Sequence, residues 1–286
     1  MLWLAKSIPD TYEGPVAVEY RRRLKMWQHL KKSGDSSEYS PILLRDKGIY
    51  GGMQGIWVDK TVTRSVSPDG CGITVGLLHT GDTYPDDLAA DGLIYHYPNT
   101  ARPSGRDLYE INATKNAGLL GLPVFVVTTT GPGKSLRNVQ IGWVEDWSDS
   151  IGAFLIMFGK IGKPMECIAR DPGRLFTPGT QSDRQVPKST KARYSAARFR
   201  FNAFKRFGYK CAVCDIAVPE LLDVVRLKGK PSETSHGDEC GIVLCVLHQR
   251  AYEIGLFDID PVTLHINTIT NKPNASALAI AYTDLS

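Results

Sequence analysis

Between Cys211 and Phe257 the chain reads Cys211-Ala-Val-Cys214, then thirty residues, then Cys245-Val-Leu-His248. Two close pairs of soft and borderline donors, separated by a long segment, are what a tetrahedral zinc ion needs. Each pair grips one edge of the ion and the segment between folds around it. Four protein ligands leave no position open, so the site expected here is structural. Whatever else the chain does, its C-terminal part must fold so that this knuckle closes.

At 286 residues, two domains are expected. Six cysteines in such a length do not make a disulfide framework. Three belong to the knuckle, and Cys71, Cys167 and Cys240 fit no spacing rule, so a reducing cytoplasm is the expected location. No apolar run reaches the length of a membrane helix, and the start Met-Leu-Trp-Leu-Ala-Lys lacks a basic leader. Neither a membrane span nor a secretory signal is therefore expected.

Residues 1–45 read as a helical lead-in, in which Tyr20, Leu24, Trp27 and Leu30 form one apolar stripe on a basic helix that packs on the body. From Gly48 to about Phe158, short β-branched runs alternate with Gly, Pro and Asp clusters, which is strand and turn punctuation. One helix interrupts them at about Arg106–Leu120, with Leu108, Ile111, Ala113 and Leu119 as its apolar positions. Many short strands with few helices imply a curved sheet or barrel. Residues 161–189 have linker composition. A helix follows, with Thr190 as a possible cap, Tyr194, Ala197, Phe201 and Phe204 inward, and Gly208 as its stop.

The charge is unevenly spread. Residues 184–210 hold nine Lys or Arg and no acid, although the whole chain is only +4, so a basic block is joined to a mildly acidic body. That pattern points to a polyanion, nucleic acid first, with a solvated helix face as the alternative.

Four segments extend the knuckle: Arg206-Phe-Gly-Tyr-Lys-Cys-Ala-Val-Cys, Glu220-Leu-Leu-Asp, Gly241-Ile-Val-Leu-Cys and Arg250-Ala-Tyr-Glu-Ile-Gly-Leu-Phe-Asp-Ile-Asp. In order and spacing, over about 60 residues, they resemble the HNH endonuclease family. The resemblance implies a ββα-metal unit whose first His activates water, whose loop Asn orients it and whose second His holds Mg²⁺ or Mn²⁺. Here those three positions carry Arg226, Cys240 and Gln249, while His248 falls on a zinc-ligand position. Arginine stays protonated and cannot serve as a base. His236, in the loop, is the one candidate substitute. No catalytic residue is therefore assigned, and nuclease activity is expected to be weak or lost.

Upstream, the segments Gly48-Ile-Tyr-Gly-Gly-Met-Gln-Gly-Ile-Trp, Gly72-Ile-Thr-Val, Gly81-Asp-Thr-Tyr-Pro-Asp-Asp, Asp91-Gly-Leu-Ile-Tyr-His-Tyr and Asn116-Ala-Gly-Leu-Leu-Gly-Leu-Pro-Val-Phe-Val follow one another. Over roughly residues 48–128 they look similar to the SET- and RING-associated (SRA) domain, a barrel that flips modified cytosine out of duplex DNA. The resemblance implies that Tyr84 and Tyr97 stack on the flipped base and that Asp87 accepts from its exocyclic amine. One extra residue between Asp87 and Gly92 leaves Tyr95 as the alternative to Tyr97. Arg102, Arg106 and Lys115, and Arg198 on the later helix, are the candidate phosphate contacts, with plain surface charge as the alternative.

The resulting expectation is an α+β chain. Residues 1–160 form a curved SRA/PUA-like β-barrel with flanking helices, 161–189 a linker, and 190–286 an HNH-like ββα zinc-knuckle domain. Its expected function is binding of double-stranded DNA with modified cytosine, 5-methylcytosine foremost, in modification-dependent restriction. Zn²⁺ is structural, Mg²⁺ or Mn²⁺ enters only if the nuclease is active, and a homodimer is allowed. The alternative is an active divalent-metal-dependent endonuclease that cuts methylated DNA.

Overall fold

The computed structural model describes residues 13–33, 38–51, 55–80, 88–100, 105–129, 135–159, 195–227, 241–268 and 276–285. The chain divides into two compact units, Met1–Ile168 and Ala169–Ser286.

In the first unit the elements run α1 (Gly14–Lys32), β1 (Glu38–Tyr39), α2 (Pro41–Asp46), β2 (Ile56–Val58), α3 (Lys60–Thr63), β3 (Thr74–His79), β4 (Gly92–His96), α4 (Arg106–Leu119), β5 (Val124–Thr129), β6 (Arg137–Ser148) and β7 (Ala153–Phe158). The strands form one sheet in the order β2-β3-β5-β6-β7-β4, with β1 added on β6. Among the described residues only the β3–β5 pair is parallel, and α4 lies in the crossover that joins them. The hydrogen-bonded path does not close among the described residues. Its two ends are nonetheless close, because Tyr95 on β4 donates its hydroxyl to the Leu78 carbonyl on β3 at 3.2 Å. Ile56 of β2 and Leu93 of β4 also share one core with Leu77, Val126, Val144 and Phe154.

β5 shows why its sequence is an unbroken apolar run. Val124 and Val126 enter that core, whereas Phe125 and Val127 enter a second one with Leu30, Tyr39, Leu44 and Ile49. A strand buried on both faces has no polar alternation. Gly76 on β3 marks a close crossing, since an added Cβ would sit 2.2 Å from the Ile49 carbonyl oxygen.

Two expectations about helices change. α1 does bury Tyr20, Leu24 and Leu30, but Arg23 beside them is fully buried as well. Its guanidinium donates to the carbonyls of Thr74 (2.7 Å) and Pro123 (2.8 Å) and to Glu19 (2.7 Å). The helix is thus pinned to the sheet by a charge. In α4, Leu108 is 60% exposed, while Ile111, Ala113 and Leu119 pack inward as expected, beside Ala117 and Gly118, whose small size lets the helix lie close to Val144.

The second unit begins, among the described residues, with α5 (Ala196–Phe207). Ser195 caps it by accepting from the Arg198 amide at 3.2 Å, and Gly208, at φ +71°, ends it. The expected cap Thr190 and the stripe residue Tyr194 lie outside the described residues. A 3-10 turn at Pro219–Leu221 leads into β8 (Leu222–Arg226). β9 (Gly241–Cys245) pairs antiparallel with β8, from Leu222↔Cys245 to Arg226↔Gly241, and runs straight into α6 (Val246–Glu253). β10 (Phe257–Ile259) and β11 (Ile266–Thr268) form a second small hairpin.

Candidate metal centre

The four ligands reach one point by different local devices. Cys211 and Cys214 sit on a tight turn after α5, closed by the Cys211 amide donating to the Ile216 carbonyl at 2.8 Å. The Ala212 amide ties that turn to β9 through the Val243 carbonyl, also at 2.8 Å. Cys245 ends β9 and stands at the N-terminus of α6, and His248 follows one helical turn later. Helical spacing of three brings the His248 Nδ1 to 3.2 Å from the Cys245 Sγ.

All four side chains are buried, and their ligand atoms lie within 4.8 Å of one another. Cys211 Sγ is 3.6 Å from the His248 Nδ1, and Cys214 Sγ is 3.9 Å from Cys245 Sγ. A tetrahedral ion with bonds of about 2.0–2.3 Å has donor–donor edges of roughly 3.3–3.8 Å, close to these separations. The ring orientation agrees. The His248 Nε2 lies 2.8 Å from the Leu278 carbonyl, which can only accept, so the proton sits on Nε2 and Nδ1 offers its lone pair inward.

The protonation chemistry also calls for a cation. Burial, with the neighbouring Cys211 and Cys245 sulfurs, pushes the Cys214 thiol up to about 12. A thiol raised in this way gives up its proton only where positive charge joins it. The cluster can therefore hold a metal ion, and its donor set suits a thiophilic one.

The tail was not legible as part of this site. Besides Leu278, the Ala281 and Tyr282 amides donate to the Val213 carbonyl, at 2.9 and 3.3 Å. Tyr282 donates to Asp215 at 2.6 Å and accepts from Lys210 at 3.0 Å. These are backbone and surface polar contacts without a periodic sequence signal.

Near the knuckle, Arg226 stands on β8 and Gln249 on α6. Arg226 is the last residue of β8, exposed, with its guanidinium 5.1 Å from the Phe199 ring centre. Gln249 is on α6, where its amide donates to Glu253 at 3.1 Å. Cys240 and His236 lie outside the described residues. On α5, Arg198 is half-buried, and Arg200 pairs with Asp223 of β8.

Of the residues expected to hold the base, Tyr84 and Asp87 lie outside the described residues, as does Arg102 among the expected phosphate contacts. Tyr95 and Tyr97 both pack against the larger core of the first unit. The Tyr97 ring lies 4.6 Å from that of Phe154, and its hydroxyl donates to Asp149 at 2.8 Å. Lys115 also binds Asp149, at 2.7 Å, and its ammonium lies 5.7 Å from the Tyr97 ring centre. Arg106 pairs with the buried Glu110 at 3.5 Å. It lines a cleft of about 430 Å³ with Ile56, Val58, Lys60, Gly105, Tyr109 and Glu110. Among the described residues, no helix is long and apolar enough to cross a membrane.

No family model matches the chain, and no curated protein matches it. Among solved structures, a modification-dependent TagI restriction endonuclease aligns with it at 16% identity, over 83% of either chain, with a TM-score of 0.29. A likeness of that size carries no argument about this chain.

Proposed function

We propose that this chain binds double-stranded DNA containing modified cytosine and holds it without efficient cleavage. The first unit reads the base as an SRA-like curved sheet, and the second is an HNH-like ββα domain stapled by zinc. The observation that carries the second half is the pairing of an intact donor cluster with altered chemical positions. Cys211, Cys214, Cys245 and His248 converge, while Arg226 closes β8 and Gln249 sits on α6. A guanidinium cannot take a proton from water, and a carboxamide is a poor ligand for a hard cation.

The modified-base half rests on the sequence pattern that includes Tyr84, Asp87 and Tyr97, with Tyr95 as its alternative. Tyr95 on β4 and Tyr97 just after it both pack against the same core, and the reading gives the stacking role to one of the two. The basic α5 supplies sequence-independent attraction to phosphates.

Bound zinc supplies structural charge compensation for the thiolates; every other role falls to the chain's own residues. Methylated plasmid incubated with the protein and Mg²⁺ or Mn²⁺ is expected to be retarded on a gel and to remain uncut. Clear linear product would instead make the protein an endonuclease.

A further inference from the structure

We propose that the exposed ridge of α1 is a phosphate-binding surface of the first unit, on which Arg21, Lys25 and Lys32 follow the backbone of duplex DNA. This deepens the DNA-binding reading above and rests on it.

The ridge is what the packing of α1 leaves over. The helix carries Arg21, Arg22, Arg23, Lys25, Lys31 and Lys32 against a single acid, Glu19. That acid is buried and already engaged, by Arg22 at 2.6 Å and by Arg23 at 2.7 Å. Arg22 also reaches Asp59, at 3.3 Å, and the Lys31 ammonium lies 4.6 Å from the Trp27 ring centre. Arg21, Lys25 and Lys32 are exposed, and no acid among the described residues engages them. At the helical repeat of 3.6 residues per turn, these three fall within about 40° of one another, on the side opposite Arg23. From Arg21 to Lys32 the ridge spans about 16 Å, a length of duplex that carries about ten phosphates.

The ridge is also held in place. Arg23 donates to the carbonyls of Thr74 and Pro123, where β3 and β5 begin, and Tyr20, Leu24 and Leu30 are buried. A helix seated in this way presents its cations without the ordering cost that a mobile basic segment incurs on binding. The same packing decides between polyanions. A helix that lies in a membrane surface needs a free apolar face. That face of α1 is buried in the core, and the one large hydrophobic side chain it exposes is Val18. The ridge therefore offers charge without an apolar wedge, which suits sequence-independent contact with backbone phosphates.

The test measures duplex affinity against salt for the full-length protein and two triple variants, with melting temperature and bound metal checked in each. Arg21→Gln with Lys25→Gln and Lys32→Gln removes three exposed charges and keeps similar helix propensity. It should lower the slope of log affinity against log salt by about 3 and weaken binding about 500-fold at 0.1 M salt. Modified and unmodified duplexes should be affected alike. Arg21→Lys with Lys25→Arg and Lys32→Arg should keep both slope and affinity. Should the wild type bind DNA while the Gln variant matches it in affinity and slope, the ridge is solvated charge only, and the DNA-binding reading stands without it. A Gln variant that keeps its DNA affinity but loses binding to phosphatidylserine vesicles would assign the ridge to a membrane and overturn the proposal. Absence of salt-dependent duplex binding by the wild type would overturn both readings.

Discussion

His248 donates its Nε2 hydrogen to the carbonyl oxygen of Leu278 across 2.8 Å, joining the first turn of α6 to a segment thirty residues further along. That single bond sets the tautomer of the ring and so the direction of its free lone pair. It makes the C-terminal segment part of the metal centre. A chain ended before Leu278 should lose about 10- to 100-fold in zinc affinity, measured by competition with a chromophoric chelator. Unchanged affinity would remove the tail from the site.

Chelation should act on stability as well as on content. The purified, reduced protein is expected to carry one zinc per chain, and removing it should abolish the melting transition of the second unit, because binding energy at such sites is folding energy. Cys245→Ser should do the same, since Cys245 both ends β9 and opens α6. Metal analysis with calorimetry checks this, and a second unit that melts unchanged without metal contradicts it.

The buried pair in α1 gives a pH dependence. Burial works to raise the Glu19 carboxyl, but hydrogen bonds from Arg22 and Arg23 and their charges outweigh it and hold the group below its ordinary 4.5. A carboxyl depressed on folding contributes fully above its unfolded value. Its contribution is lost as the pH falls from about 4.5 through the folded value. The first unit should therefore lose stability in that acid range, and Glu19→Gln should flatten the loss. The same substitution should cost about 3–5 kcal/mol at neutral pH by leaving Arg23 buried without its partner. Denaturant melts at several pH values measure both effects.

Much of the second unit was legible because ligand chemistry imposes spacing. Cys211-Ala-Val-Cys214 and Cys245-Val-Leu-His248 had few alternatives as a ligand set, while the ββα order was implied by the HNH resemblance and not by the spacing. The first unit was legible strand by strand, since its runs are short and apolar, but not in its pairing. Nothing local in Val124–Thr129 says that it lies between β3 and β6. Arg23 was unreadable for a different reason. Its burial is offset by the carbonyls of Thr74 and Pro123, 51 and 100 residues away, and a charged residue in a basic helix otherwise belongs in water. Leu108 misled in the opposite sense: it is exposed, although Ile111, Ala113 and Leu119 of the same expected stripe face the core.

Gly241→Ala tests the fit of α5 on the hairpin. The added methyl would meet Phe199 at 2.8 Å and Ala203 at 3.2 Å, so helix or strand must shift. A loss of about 1–3 kcal/mol is expected from such overpacking. Zinc should be retained, because the ligands sit at the other end of β9. A neutral substitution in chemical denaturation would show that α5 is loosely seated.

On the HNH-like reading proposed above, restoring chemistry should require Arg226, Cys240 and Gln249 to change together. Arg226→His, Cys240→Asn and Gln249→His together are expected to give Mg²⁺-dependent nicking of plasmid DNA where the wild type gives none. Supercoiled-to-open-circle conversion is the measurement. Wild-type cleavage equal to that of the triple variant would return the chain to the enzymes.

The central claim is recognition of a modified base, and one comparison tests it most directly. Dissociation constants are measured at physiological salt for duplexes identical except that one cytosine is unmodified, 5-methylated or 5-hydroxymethylated. Tighter binding of a modified duplex is predicted, with the difference removed when Tyr84 and Asp87 are changed to Ala. Equal affinity for all three duplexes would contradict the account.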